Sequence, residues 1–293
     1  MRVDLEKNQA PLGKNQSRRI NIPVLDLLTN GAVQKKLFAV FIVWLIAGFT
    51  AIFDLLPAIH VLAAALLIAF LCCHSVIQTT YLRAFSWSAV FLIGTFMALY
   101  RPEDFSYFNS ISTDQLHEQG KPYQQFVNLG KFFGAVILFI WIMLGSVKED
   151  IALALTRKNL LIAGSAVLGI LLLAMVIMNL GFIPKLSQFT FIFLIINLVV
   201  TCFSEETFYR LVVQRPSEKA FFNLRASRIF GVLVASAFFT LTHVSDQWYV
   251  LTVMVIAGTA YAITFALTRS LTSTIFAHFS VNAIHFIFLP YPL

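Results

Sequence analysis

The segment LVVTCFSEETFYRLVVQR, residues 198–215, places two glutamates and an arginine directly against an apolar run that is suited to lipid. A carboxylate without a partner is costly in hydrocarbon, so ionisable residues at membrane depth usually have partners and a function. Glu205, Glu206 and Arg210 therefore predict a site inside a membrane, whose remaining members come from other parts of the chain.

The composition is that of an integral membrane protein. The 293 residues are 59% hydrophobic and 12% charged, whereas a soluble domain is about 45–50% apolar and about 25% charged. Apolar runs of about 16–25 residues recur from Leu37 to Leu289, near the ~20 residues that a helix needs to cross a bilayer. We therefore expect an all-α fold, a polytopic transmembrane helix bundle of about 8–9 spans.

Nine candidate spans alternate with connections of different charge. The spans are 37–54, 57–73, 84–100, 131–147, 159–183, 186–212, 228–244, 248–268 and 271–289. Basic residues gather on every second connection: in the N-terminal tail, at Arg83, at Lys148, Arg157 and Lys158, from Arg210 to Arg228, and at Arg269. The positive-inside rule then predicts a cytoplasmic N-terminus and an outer C-terminus. The net charge of +7 indicates this topology and contact with anionic lipid, not nucleic acid.

The chain divides into regions that differ in how many ionisable residues they place at membrane depth. Residues 1–36 read as a basic cytoplasmic tail, and 37–185 as an N-terminal transmembrane region of unknown role with almost no such residues. Residues 186–289 hold the diglutamate and three histidines. The polar stretch 101–130 reads as a solvated connection.

Helical spacing gives Glu206 a partner on its own helix and leaves Glu205 without one. Glu206 and Arg210 are four residues apart, with the acid N-terminal to the base, which is the favourable order for a helix ion pair. Glu205 lies about 100° further round an α-helix, so the same guanidinium cannot serve both carboxylates equally well. Glu205 therefore needs another partner.

Histidines in the later spans are the candidates for that partner. His243 ends the run IFGVLVASAFFTLTH, and His278 and Asn282 share one face of SLTSTIFAHFSVNAIHF, with His285 a turn later. Counting about 1.5 Å per residue from the cytoplasmic ends puts Glu205, His243 and His278 at depths of roughly 13, 22 and 10 Å. A shared site then requires tilt or a helix break near His243.

Three motifs in these spans resemble a known family. EETFYR (205–210) fits EExxxR, FTLTH (239–243) fits FxxxH and HFSVN (278–282) fits HxxxN, in that order on successive apolar segments. Together they resemble the CPBP family of intramembrane proteases, which includes the type II CAAX prenyl endopeptidases. The resemblance makes 186–289 a catalytic transmembrane core. It implies a water-filled intramembrane cavity, open toward the cytoplasm or sideways to lipid.

The resemblance also implies a role for each motif residue. Glu205, with His243 beside it, would activate the hydrolytic water, His278 and Asn282 would bind the oxyanion, and Glu206 and Arg210 would support the site. No cofactor is favoured. Zinc is the alternative, with His243, His278 and Glu205 as ligands and an open position for water.

Two other classes of function stay open at this point. A non-catalytic scaffold would keep the fold without cutting a substrate, and a proton or cation transporter would use the same carboxylates and histidines as a relay. For the protease, we expect membrane lipid and a membrane-embedded or lipidated peptide or protein as partners. From the breadth of the family we expect a bacterial inner membrane.

Overall fold

The computed structural model describes residues 31–114, 116, 122–145, 151–220 and 226–291. Most of the predicted tail and parts of the predicted connections at 101–130, 148–158 and 213–228 lie outside the described residues.

The described residues form nine helices, one for each predicted span, and the all-α prediction is confirmed. The helices are α1 Gly31–Ile52, α2 Ala58–Val76, α3 Thr80–Leu99, α4 Leu129–Met143, α5 Arg157–Ile177, α6 Thr190–Ala220, α7 Ser227–Leu241, α8 Trp248–Thr268 and α9 Leu271–Phe288. Seven of them are long and apolar enough to cross a membrane. The protein is an integral membrane protein, and large apolar side chains such as Phe38, Leu161 and Leu233 lie exposed on its outer surface.

Helices α4 and α7 are shorter than the spans 131–147 and 228–244 that were predicted for them. Helices α4 and α7 have 15 residues each, fewer than the ~20 that cross a bilayer unaided. Helix α4 ends at Met143, before the turn at Leu144, and α7 ends at Leu241, two residues before His243. The predicted spans continue a few residues past both helix ends, so composition alone overestimates the length of both helices.

The 101–130 connection contains a short hairpin rather than only irregular chain. Strand β1 (Asn109–Thr113) pairs antiparallel with β2 (Tyr123–Phe126). Ile111 of the hairpin is buried in a cluster with Phe193 of α6 and Phe286 of α9. This packing fixes the hairpin over the ends of the two helices that carry the EExxxR and HxxxN patterns.

Alternating helix directions give the bundle two faces. On one face, which we call the basic face, the amide of Ala152 donates to the Arg269 carbonyl (2.7 Å), joining the connections before α5 and α9. On the other, the hairpin face, the amide of Lys185 donates to the Ile287 carbonyl (2.7 Å) and joins the connection before α6 to the end of α9. The hairpin face also carries the 242–247 connection.

Helix α6 changes its winding around the diglutamate. Residues Asn197–Cys202 and Thr207–Gln214 are π-helical, and only Phe203–Glu206 between them are α-helical. A π-helical turn widens the backbone and changes the direction of the side chains, and such turns are common at functional sites.

Candidate active site

A fully buried ion pair lies at the centre of the bundle. Arg210 Nε lies 2.7 Å from Glu206 Oε2, and neither side chain has any exposed surface. Glu206 Oε1 lies 2.8 Å from Nδ1 of His278 on α9. Both carboxylate oxygens are therefore bound, and Glu206 ties α6 to α9.

Glu205 has a different set of partners, and one of them is not part of the motifs. Lys131 Nζ, at the start of α4, lies 2.6 Å from Glu205 Oε1. Glu205 Oε2 faces Nε2 of His243 at 3.7 Å and Nε2 of His278 at 3.9 Å, and it accepts no hydrogen bond from the described residues. Helices α4, α6 and α9 and the turn after α7 therefore meet at one carboxylate.

His243 reaches this carboxylate because it lies past the end of its helix. Its amide donates to the Thr240 carbonyl (3.0 Å) in a turn, so counting along a straight helix misjudges its height. Its Nδ1 lies 2.8 Å from the Phe239 carbonyl, and its ring stacks on that of Phe239 at 4.4 Å. A carbonyl can only accept, so Nδ1 carries a proton, and in the neutral form of the ring the lone pair of Nε2 points toward Glu205.

The turn at His243 is also attached to α6. The hydroxyl groups of Tyr209 and Thr242 are hydrogen-bonded, and Thr242 Oγ1 lies 3.2 Å from His243 Nδ1. Tyr209, which lies within the EExxxR motif, thus holds the turn that carries His243.

Helix α9 presents the residues of the third motif. The ring of His278 stacks on Tyr261 of α8 at 4.6 Å between centroids, and it is nearly buried. Asn282, one turn later, donates through Nδ2 to Asn197 Oδ1 (3.3 Å) in the first π-helical stretch. His285 instead lies 3.0 Å from the Pro290 carbonyl through Nε2, and it has no contact with the diglutamate.

A ladder of polar side chains continues from the ion pair along α6. Arg210 Nη1 donates to Gln214 Oε1 (2.8 Å), and Gln214 Nε2 donates to Glu218 Oε1 (3.3 Å). Glu218 Oε2 lies 2.5 Å from Arg269 Nη1 at the end of α8. The ladder, residues 206, 210, 214, 218 and 269, leads from the site to the basic face.

A cavity of about 190 Å³ adjoins the site. Glu205, His243, His278 and Asn282 line it together with His285. Its other walls are mainly apolar and come from α5 and α8, with Ile170, Leu171, Ala174, Met178, Val253, Met254 and Ala257. The four residues to which the resemblance gives catalytic roles thus line one cavity.

The donors do not fit a hydrolytic zinc ion well. The described residues contain no group of three or more His, Cys, Asp or Glu side chains arranged to hold a metal ion. The Lys131 ammonium lies against Glu205, where it would repel a dication. Glu206, the second carboxylate, is already bound by Arg210 and His278. We therefore derive no step that passes through a metal.

Comparison with known proteins agrees with this geometry. Residues 187–284 match the family model described as type II CAAX prenyl endopeptidase Rce1-like. The C-terminal third of the chain carries an Rce1-like domain. The resemblance to the CPBP family is thereby confirmed, and since Rce1-like proteins form a protease family, peptidase activity is supported at the level of the family. No curated protein and no solved structure matches the chain.

One of the main contacts of the Rce1-like domain is with Lys131, which lies outside the matched region. Lys131 lies 56 residues before the start of the matched region, and the motifs gave no indication of it. The available signal was its place at the outer end of a predicted span, where positive charge is not expected. Gln214 and Tyr261 were also missed, because neither is ionisable near pH 7.

Proposed function

We propose that this protein is an intramembrane endopeptidase that hydrolyses a peptide bond of a membrane-associated protein or peptide by activating water with Glu205 and His243. One observation carries the proposal: Glu205 Oε2, with no hydrogen-bond donor among the described residues, faces two imidazole Nε2 atoms at 3.7 and 3.9 Å beside a cavity. Glu205 Oε2 and His243 Nε2, 3.7 Å apart, form a pair of acceptors that suits a water molecule that is to lose a proton.

The surroundings keep Glu205 ionised and leave a lone pair on His243 free to accept a proton. The Lys131 ammonium stabilises Glu205 as a carboxylate. The Phe239 carbonyl holds His243 in the tautomer whose Nε2 has a free lone pair. A base positioned in this way typically contributes about 10²–10⁴-fold to a hydrolytic rate.

His278 and Asn282 have the placement of oxyanion donors. Because the Glu206 carboxylate accepts from Nδ1 of His278, Nε2 can donate to an oxyanion only when the ring is an imidazolium. Asn282 uses one amide hydrogen toward Asn197 and has a second for the cavity. Each preorganised donor of this kind is worth about 10²–10³ in rate.

The reaction balances with these groups alone. Water attacks the carbonyl carbon while its proton passes to the base formed by Glu205 and His243, and the carbonyl oxygen becomes an oxyanion held by His278 and Asn282. When the C–N bond breaks, the same proton passes to the leaving amine. The products are a carboxylic acid and an amine, which separate as a carboxylate and an ammonium ion once the acid has given up its proton, and no metal or other cofactor takes part.

The substrate class follows from the cavity and the family. Apolar walls fit an apolar segment, and the matching family model is described as prenyl endopeptidases, so a lipidated peptide and a membrane-embedded one are both candidates.

A proton relay through the ladder is disfavoured because Arg210 interrupts it, and a guanidinium does not release its proton in proteins.

The test compares the membrane peptidomes of cells that express the wild-type chain and the Glu205→Gln variant. We expect peptides that depend on the wild-type residue, with expression and membrane insertion unchanged. Asp246→Asn is the matched control, since it makes the same kind of change at an exposed acid three residues from His243. Identical peptidomes for the wild-type and Glu205→Gln chains would favour the scaffold.

A further inference from the structure

The candidate active-site cavity lies toward one face of the bundle. Its lining includes Leu180, just beyond the end of α5, His243 in the turn after α7, and Leu289, just beyond the end of α9. These three positions all belong to the hairpin face. In this region Lys185 donates a hydrogen bond to the Leu289 carbonyl, and burial lowers the pKa of its ammonium group.

The ladder separates the cavity from the basic face. Glu206, Arg210 and Gln214 have no exposed surface, and Glu218 is buried. Gln214 also donates to the Ala262 carbonyl (2.9 Å), which joins α6 to α8 on this side of the site. Among the described residues, packed and hydrogen-bonded side chains therefore fill the space between the catalytic candidates and the basic face.

Charge distinguishes the two faces. Of the 13 lysines and arginines that the structure describes, three belong to the hairpin face, namely Arg101, Lys131 and Lys185. The basic face carries Arg83, Arg157, Lys158, Arg228 and Arg269, among others. The positive-inside rule places the face that is rich in lysine and arginine in the cytoplasm.

We infer that the active-site cavity opens to the non-cytoplasmic side of the membrane, and that the substrate is a membrane polypeptide cleaved within or next to an apolar segment on that side. The reaction in this inference rests on the proposed function, whereas the direction of opening does not. This direction differs from the opening toward the cytoplasm or sideways to lipid that the family resemblance implies.

Cysteine labelling in intact cells tests the direction of opening. In a background with Cys72, Cys73 and Cys202 replaced by alanine, single cysteines are introduced as Leu180→Cys in the cavity, Val244→Cys beside His243, and Ala220→Cys at the end of α6. Val244 and Ala220 are exposed on opposite faces, so they are matched controls. We expect a membrane-impermeant maleimide to label Leu180→Cys and Val244→Cys in intact cells, and Ala220→Cys only after permeabilisation.

Two other labelling patterns would contradict the inference, one for the orientation of the protein and one for the opening of the cavity. Labelling of Ala220→Cys alone in intact cells would reverse the orientation. Labelling of Val244→Cys without Leu180→Cys, even after permeabilisation, would show that the cavity is closed to this face.

The position of cleavage sites tests the substrate class. Among peptides lost in the Glu205→Gln cells, we expect the cleaved bonds to map to the non-cytoplasmic side of their parent membrane proteins. Bonds on the cytoplasmic side would overturn the inference but leave the protease assignment standing. An absence of any such peptides would overturn the protease assignment, and the maleimide pattern would still decide the orientation.

Discussion

Lys131 Nζ lies 2.6 Å from Glu205 Oε1, although the two residues are 74 positions apart in the chain. The pair joins the N-terminal transmembrane region to the Rce1-like domain at the carboxylate proposed as the base. Their side chains are about 20% and 11% exposed, so solvent screens the pair less than it would at the surface. The N-terminal region thus supplies a charged contact to the candidate site, beyond its role in packing.

Replacing Lys131 with methionine should slow hydrolysis by about tenfold or more, which corresponds to about 1.4 kcal/mol on the barrier. The reason is that Glu205 loses the ammonium that stabilises its charge, while the methionine keeps a similar length and volume. Lys131→Arg should keep most of the activity. The measurement is the rate of cleavage of a substrate identified in the peptidome comparison, and equal rates for Lys131→Met and wild type would show that the ion pair has no part in catalysis.

The two adjacent glutamates should respond differently to the same substitution. Glu206→Gln should destabilise the protein by about 3–5 kcal/mol, because it strands the fully buried Arg210. Glu205→Gln should abolish cleavage and change stability much less, because Glu205 borders the cavity and its partner Lys131 is partly exposed. Thermal unfolding in detergent and cleavage assays on the two variants make the comparison.

A double variant measures the interaction between Glu206 and Arg210 separately from their contacts with the rest of the protein. Glu206→Gln combined with Arg210→Met should be less destabilising than the sum of the two single variants, because residues in direct contact are coupled. Simple additivity in the unfolding measurements would indicate that the 2.7 Å contact contributes little to stability.

Gly258 should be required for the position of His243. A Cβ at this residue would lie 2.8 Å from Phe239 Cδ1, and the Phe239 ring stacks on the imidazole of His243. Gly258→Ala should therefore displace the ring and reduce cleavage, with the protein still inserted in the membrane. Gly169→Ala is the control, since it lies in α5 with no heavy atom within 4 Å of the added carbon. Equal activity of the two variants would contradict the proposed coupling.

Purified protein should remain active after treatment with a chelator. The Lys131 ammonium beside Glu205 and the complete engagement of Glu206 leave too few free ligands for a hydrolytic zinc ion, which needs three protein ligands and an open position. Elemental analysis before and after treatment checks that the metal has been removed. Activity that disappears on treatment and returns with substoichiometric zinc would support the metal alternative, with His243 and His278 as ligands.

The sequence by itself determined the features that depend on short stretches of chain. Apolar runs predicted nine helices in nearly the observed places, since burial in lipid is a property of each segment alone. The i, i+4 spacing predicted the contact between Glu206 and Arg210, because both residues lie on one helix. The motif order predicted the Rce1-like domain. The catalytic roles of the motif residues stay predictions.

Only the tertiary structure decided how the segments meet. The roughly 12 Å spread in depth expected for Glu205, His243 and His278 is absent, because α7 ends before His243 and a turn carries the imidazole to the carboxylate. Likewise, Lys131 meets Glu205, and Glu206 meets His278, through the packing of separate helices. Hydropathy and spacing describe one segment at a time, whereas the rotation, height and end of each helix depend on the side chains of its neighbours.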